Sequence, residues 1–155
     1  MRTLGIAALI VLGTLGSSRP GDAQEIRGFA GGGSASDRSH SYPSFGGGVL
    51  FTPGPRWVSV GVQGDGFVSL PYVAGRGSIF VQGNLMPKGT LRPFIVAGHG
   101  FGVYDGAMFG GGVEFRPSGS PVGFRGSVEN YRKIYNGIYG APSSNNVTVR
   151  MGVLF

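Results

Sequence analysis

Asn145 to Phe155 reads NNVTVRMGVLF, and its alternation decides the fold. Val147, Val149, Met151, Val153 and Phe155 fall on one side of an extended chain. Asn146, Thr148, Arg150 and Gly152 fall on the other, with Leu154 as the one apolar residue among them. A period of two is the signature of a strand with one apolar and one polar face. An aromatic residue closes the apolar face at Phe155.

Composition decides which kind of strand protein this is. The 155 residues include 32 Gly and 10 Pro, carry a net charge of +6, and contain only 13% charged residues, about half of what a soluble domain displays. Such a chain is short of surface charge. With 41% hydrophobic and 12% aromatic residues, it is nevertheless equipped to build a core and is not a disordered Gly-rich polymer. The absence of Cys excludes disulfide frameworks, thiolate metal sites and Cys nucleophiles.

The amino terminus has the three parts of a secretory leader. Met1-Arg2-Thr3 is a short basic start, Leu4 to Leu15 (LGIAALIVLGTL) an apolar core, and Gly21-Asp22-Ala23 a small-residue cleavage site before Gln24. The apolar run falls short of the ~20 residues of a spanning helix, and Gly16 and Pro20 follow it. Two regions are therefore expected, a signal peptide over 1–23 and one folded domain over 24–155. The basic residues left in that domain are too dispersed for a nucleic-acid stripe.

Three Pro/Gly clusters punctuate the domain at intervals of two strands: Pro53-Gly54-Pro55, Pro87-Lys88-Gly89-Thr90 and Pro117-Ser118-Gly119-Ser120-Pro121. Polar stretches fall between them, Ser34 to Pro43, Gly66 to Tyr72, Asp105-Gly106 and Ile134 to Ser144, and are expected as loops at the opposite end. Eight segments remain as strands: Glu25–Gly33, Ser44–Thr52, Arg56–Asp65, Val73–Met86, Leu91–Tyr104, Ala107–Arg116, Val122–Lys133 and Asn145–Phe155. Most have the ~9–11 residues that a tilted strand needs to cross a bilayer. Tight turns at one end, longer loops at the other and an even strand count predict an all-β, eight-stranded antiparallel up-and-down transmembrane barrel.

Parity sorts the faces. Val58, Val60 and Val62 oppose Ser59, Gln63 and Asp65, and Ile79 and Val81 oppose Arg76, Ser78 and Gln82. Phe109, Val113 and Phe115 oppose Glu114 and Arg116, and Phe124 and Val128 oppose Arg125 and Glu129. A lipocalin-like soluble barrel would place the charges outward. The low total charge and the apolar last strand place them inward, because backbone groups in lipid are satisfied only by a closed barrel. The expected lumenal network is Arg27, Asp65, Arg76, Glu114, Arg125, Glu129 and Arg150, with Glu114–Arg125 or Glu129–Arg150 directly paired. Two aromatic girdles are expected, one of Phe51, Trp57, Phe94, Phe115 and Phe124 at the turn end, the other of Tyr72, Tyr104, Tyr131 and Tyr135 at the loop end.

The chain resembles the small eight-stranded outer-membrane barrels of the OmpA/OmpX type. Arg92-Pro93-Phe94-Ile95-Val96-Ala97-Gly98-His99-Gly100-Phe101-Gly102 is similar to that family's Pro-aromatic-x-x-Ala-Gly-x-Gly strand. Phe109-Gly110-Gly111-Gly112-Val113-Glu114-Phe115-Arg116 and Phe124-Arg125-Gly126-Ser127-Val128-Glu129-Asn130-Tyr131-Arg132 are similar to the two that follow. The resemblance implies residence in the bacterial outer membrane and a structural or envelope-integrity role. It implies a C-terminal assembly signal over Val147, Val149, Met151, Val153 and Phe155, read by the barrel-assembly machinery after delivery by periplasmic chaperones. Outer-membrane lipid and lipopolysaccharide are the remaining expected partners, the protein is expected to be a monomer, and no peptidoglycan-binding domain is expected after Phe155.

Other functions stay open on the sequence. Loops bearing Tyr42, Tyr72 and Tyr139 could form an adhesin or ligand-binding surface, and the lumen could be a small pore. Barrels of this size also include lipid A-modifying enzymes that use His and Ser, and Asp37-Arg38-Ser39-His40-Ser41 has residue types for a base, an orienter and a nucleophile. That stretch matches no motif of those enzymes, and His99 has no Ser or carboxylate beside it in its strand. The expectation is no catalysis, no metal site and no cofactor.

Overall fold

The structure is a computed structural model that describes residues 24–37, 40–54, 56–69, 71–103, 105–133 and 145–155. The expected leader over 1–23 lies outside them, as do Tyr104, Tyr135, Tyr139 and the segment 134–144.

All regular structure among the described residues is strand: β1 (Glu25–Ser36), β2 (Ser41–Thr52), β3 (Val58–Ser69), β4 (Tyr72–Asn84), β5 (Leu91–Gly102), β6 (Gly106–Phe115), β7 (Gly123–Lys133) and β8 (Asn145–Leu154). Each pairs antiparallel with its sequence neighbours, and β1 meets β8 to close the barrel. Past the end of that ladder, Gly28 and Phe155 exchange backbone hydrogen bonds of 2.8 and 2.9 Å. No edge is left to template aggregation.

Two expected loops turn out to be ladder. Ser34 pairs with Pro43 and Ser36 with Ser41, and Ser69 pairs with Tyr72. Polarity alone does not end a strand, because paired backbone stays favourable above the apolar belt, and the Ser36 and Ser41 hydroxyls meet across the pair at 2.8 Å. At the other end β3 starts later than expected. Arg56 and Trp57 belong to the turn, where Asn84 holds both: its side-chain amide donates to the Arg56 carbonyl and its backbone N–H to the Trp57 carbonyl, each at 2.7 Å.

An eight-stranded barrel is only wide enough for side chains to fill, and the glycines make the filling possible. Phe80 lies opposite Gly61, Phe29 opposite Gly48 and Phe94 opposite Gly112. Each ring covers the place where its partner's Cβ would stand, within 2.8 Å at Gly48 and 2.7 Å at Gly112. Large residues and their absence alternate around the bore, as a tapering interior requires.

Candidate functional site: the barrel lumen and its outer belt

The faces of the barrel differ in chemistry. Arg27, Asp65, Arg76, Glu114, Arg125, Glu129 and Arg150 are all buried in the bore, with Gln63, Gln82, Ser127, Asn146 and Thr148. The outer face carries Val62 at 52% exposure, Ile95 at 56% and Met151 at 76%. Exposed apolar surface so continuous has no place in water.

The charges form two hydrogen-bonded groups inside the bore, packed beside a buried apolar cluster. Toward the turn end, Glu114 receives three arginines: Arg125 at 2.7 Å, Arg27 at 2.8 Å and Arg116 at 3.2 Å. Gln82 binds both members of the closest pair, accepting from Arg125 at 2.8 Å and donating to Glu114 at 3.1 Å. Arg27 is further held by Thr52 and Ser59, and Arg116 also reaches Glu25 at 2.8 Å. A carboxylate has about four lone-pair sites, and beside the Gln82 amide Glu114 uses them on charged donors, which bind about twice as strongly as neutral ones.

Toward the loop end, Asp65 plays the corresponding part. It accepts from Arg76 at 2.7 Å on one oxygen and from Arg150 on the other. Arg150 lies 3.7 Å from Glu129, whose carboxylate is satisfied instead by Gln63 at 2.9 Å, Tyr131 at 3.0 Å and Ser127 at 3.1 Å. Arg76 continues to Asn146 and Thr148, and its guanidinium lies 3.2 Å from the Tyr131 ring centre. Such a stack lets a buried cation keep a favourable field where carboxylates run out.

Phe29, Leu50, Phe80, Phe94, Val96, Met108 and Leu154 belong to one buried apolar cluster. Arg125 is stacked 4.0 Å from the Phe94 ring and 4.9 Å from that of Phe29, so the cluster also desolvates the lower charges.

Two girdle residues need correction. Phe94 and Tyr131 point into the bore, 2% and 0% exposed. Phe94 shares parity with Arg92 and Val96, and Tyr131 with Arg125 and Glu129. Parity would have placed both inside, but their aromatic character and position near strand ends pointed to the interface. Trp57, Phe115 and Phe124 are exposed at the turn end, the last two with rings stacked at 6.5 Å, while Phe51 on the outward face is half-buried. Tyr72 begins β4. In the last strand Val147, Val149, Met151, Val153 and Phe155 all face out.

Arg116, Tyr131, Asn146 and Thr148 join the charge network as well, beyond the seven residues expected of it. All four have inward parity in their strands, which was the available signal.

Neither histidine assembles a reacting group among the described residues. His40 is exposed, its backbone N–H donating to Asp37 at 2.9 Å, and Arg38 and Ser39 lie outside the described residues. His99 faces outward near the loop end and meets the exposed Asp105 at 2.8 Å.

A closed eight-stranded up-and-down barrel, polar within and apolar without, is the architecture of the small outer-membrane barrels, and this chain has that fold. The N-terminal β-barrel domain of Pseudomonas aeruginosa OprF superposes with a TM-score of 0.61 at 13% identity, covering 86% of this chain and 100% of that one. Neisserial surface protein A (NspA) superposes at 0.53 and 10% identity, covering 86% and 98%. At these identities the likeness is one of fold. The sequence matches no protein-family model and no curated protein.

Proposed function

We propose that this chain is an integral barrel of the bacterial outer membrane, exported by its 1–23 leader, with a structural role in the envelope and a lumen plugged by its own side chains. The observation that carries this reading is the inversion of the faces: every described mid-strand charge is buried and paired, while the outer belt is apolar. A soluble barrel has no use for that arrangement. Its partners are outer-membrane lipid, lipopolysaccharide at the loop end, and the chaperones and assembly machinery that insert it. It acts as a monomer and without catalysis.

The plug follows from energetics. Taking an ion out of water costs several kcal/mol, repaid only by close pairing and further hydrogen bonds. Glu114 and Asp65 each hold more than one arginine, so opening a path through either group would strand cations. The buried rings of Phe29, Phe80 and Phe94 fill much of the remaining bore.

The test is fractionation. Mature protein beginning at Gln24 is expected with outer membranes and with heat-dependent migration on a gel. Recovery as a soluble periplasmic monomer contradicts the proposal.

A further inference from the structure

At the turn end, on the outside of the barrel, Arg56, Trp57, Leu85, Met86, Pro87 and Lys88 line an open groove of about 460 Å³. Its floor is apolar: Trp57, Leu85 and Met86 are 57%, 54% and 60% exposed. Its flanks are the cations of Arg56 and Lys88, and among the described residues no acidic one lines it. Glu25, a carboxylate within the field of Arg56, is already engaged by Arg116 at 2.8 Å.

The groove is a fixed feature. Asn84 clamps the carbonyls of Arg56 and Trp57 at 2.7 Å each, the Leu85 N–H donates to the Pro93 carbonyl at 2.9 Å, and Pro87 is buried. Asn84 is itself held from within the bore by Gln82, a partner of Glu114. The lumenal network thus sets the position of a turn on the outer rim.

We infer that this groove holds one anionic glycerophospholipid of the leaflet that meets the turn end, its phosphate between Arg56 and Lys88 and an acyl chain along Trp57, Leu85 and Met86. The inference rests on the membrane placement proposed above. Charge complementarity selects the occupant. The apolar floor continues upward into the outer belt through Val58 and Val81, so an acyl chain enters without leaving hydrocarbon. Two cations at the rim then meet the headgroup, where juxtamembrane Lys and Arg attract anionic lipid. A free phosphate would leave the floor uncovered, and an acidic peptide would have to displace lipid from it.

Trp57 is the sole Trp of the chain, so its fluorescence reports this groove alone. Full mature protein is folded into phosphatidylcholine vesicles containing a fixed fraction of brominated phosphatidylglycerol or, in parallel, brominated phosphatidylcholine. Quenching by the anionic lipid is expected to exceed that by the zwitterionic one by about tenfold in apparent association, and Arg56→Gln with Lys88→Gln to bring the ratio near one. Arg132→Gln, an exposed cation at the loop end, is expected to leave the ratio unchanged. Equal quenching of the unaltered protein by both lipids, or a preference that survives the double change, overturns the inference while leaving membrane insertion intact. An Arg132→Gln effect as large as the double change also overturns it, because the attraction then belongs to overall charge. Absence of quenching by either lipid removes the membrane placement together with the site.

Discussion

Arg125 and Glu114 stand directly opposite each other on β7 and β6 and meet at 2.7 Å inside the bore, while Arg27 reaches the same carboxylate from β1 at 2.8 Å. One acid therefore organises cations from strands on different sides of the barrel. Glu114→Gln is expected to destabilise folded protein by about 3–5 kcal/mol, because it strands buried arginines. Arg125→Met added to Glu114→Gln should recover part of that loss. Urea unfolding of the barrel in detergent or lipid, followed by the heat-dependent gel shift, measures both.

The second group predicts an order of effects. Asp65 holds Arg76 and Arg150 together, so Asp65→Asn should cost about 3–5 kcal/mol. Glu129 lies 3.7 Å from Arg150 and rests mainly on neutral donors, so Glu129→Gln should cost about 1–3 kcal/mol. Equal losses in the same urea series would mean that Arg150 depends on Glu129 rather than on Asp65.

Glycine partners of the lumenal rings are expected to be intolerant of added volume. A Cβ at Gly61 would overlap the Phe80 ring, whereas one at Gly77 on the outer face meets nothing within 4 Å. Gly61→Val should cost about 1–3 kcal/mol by overpacking and Gly77→Val close to nothing. Unfolding midpoints of the two variants check the contrast.

The apolar cluster predicts where a path would open. Phe80→Ala with Phe94→Ala removes two buried rings from the bore, and each truncation should cost about 3–5 kcal/mol. Conductance in planar bilayers should rise in that variant and stay small in Glu114→Gln. A large increase in Glu114→Gln instead would make the ion pair the gate.

Phe155 closes the barrel by exchanging backbone bonds with Gly28, and its ring covers the place of a Gly28 Cβ. Phe155→Asp should reduce the folded, heat-modifiable fraction strongly and Phe155→Leu weakly. Equal folded yields would show that side-chain packing at the closing pair is dispensable.

Strand number and order were legible from the turn clusters, and facing was legible in the strands where period-two alternation is clear, such as β3, β6, β7 and β8, whereas in β5 both faces are apolar and the facing of His99 was not. The two loops read from Ser34–Pro43 and Gly66–Tyr72 failed for a physical reason: Ser, Gly and Pro disfavour a strand locally, yet Ser34 and Pro43 are paired by neighbours that leave them no cheaper conformation. Phe94 and Tyr131 failed differently: an aromatic ring suits either a lipid interface or a narrow bore, and the parity that pointed inward, matched by the glycine opposite Phe94 and the Arg76 guanidinium over Tyr131, was outweighed by their place near strand ends. Convergence of Arg27 from β1 on Glu114 depends on a side chain crossing the bore, which strand parity does not encode.

On the proposed membrane placement, the outer belt faces hydrocarbon and the charges face inward. Because the chain has no Cys, single cysteines at Val62, Val128 and Val149 can each carry an environment-sensitive fluorophore on the folded barrel in lipid vesicles. Blue-shifted emission quenched by bilayer-resident lipid labels at all three positions is the predicted result. Emission at the wavelength of water, quenched by aqueous iodide, would contradict it.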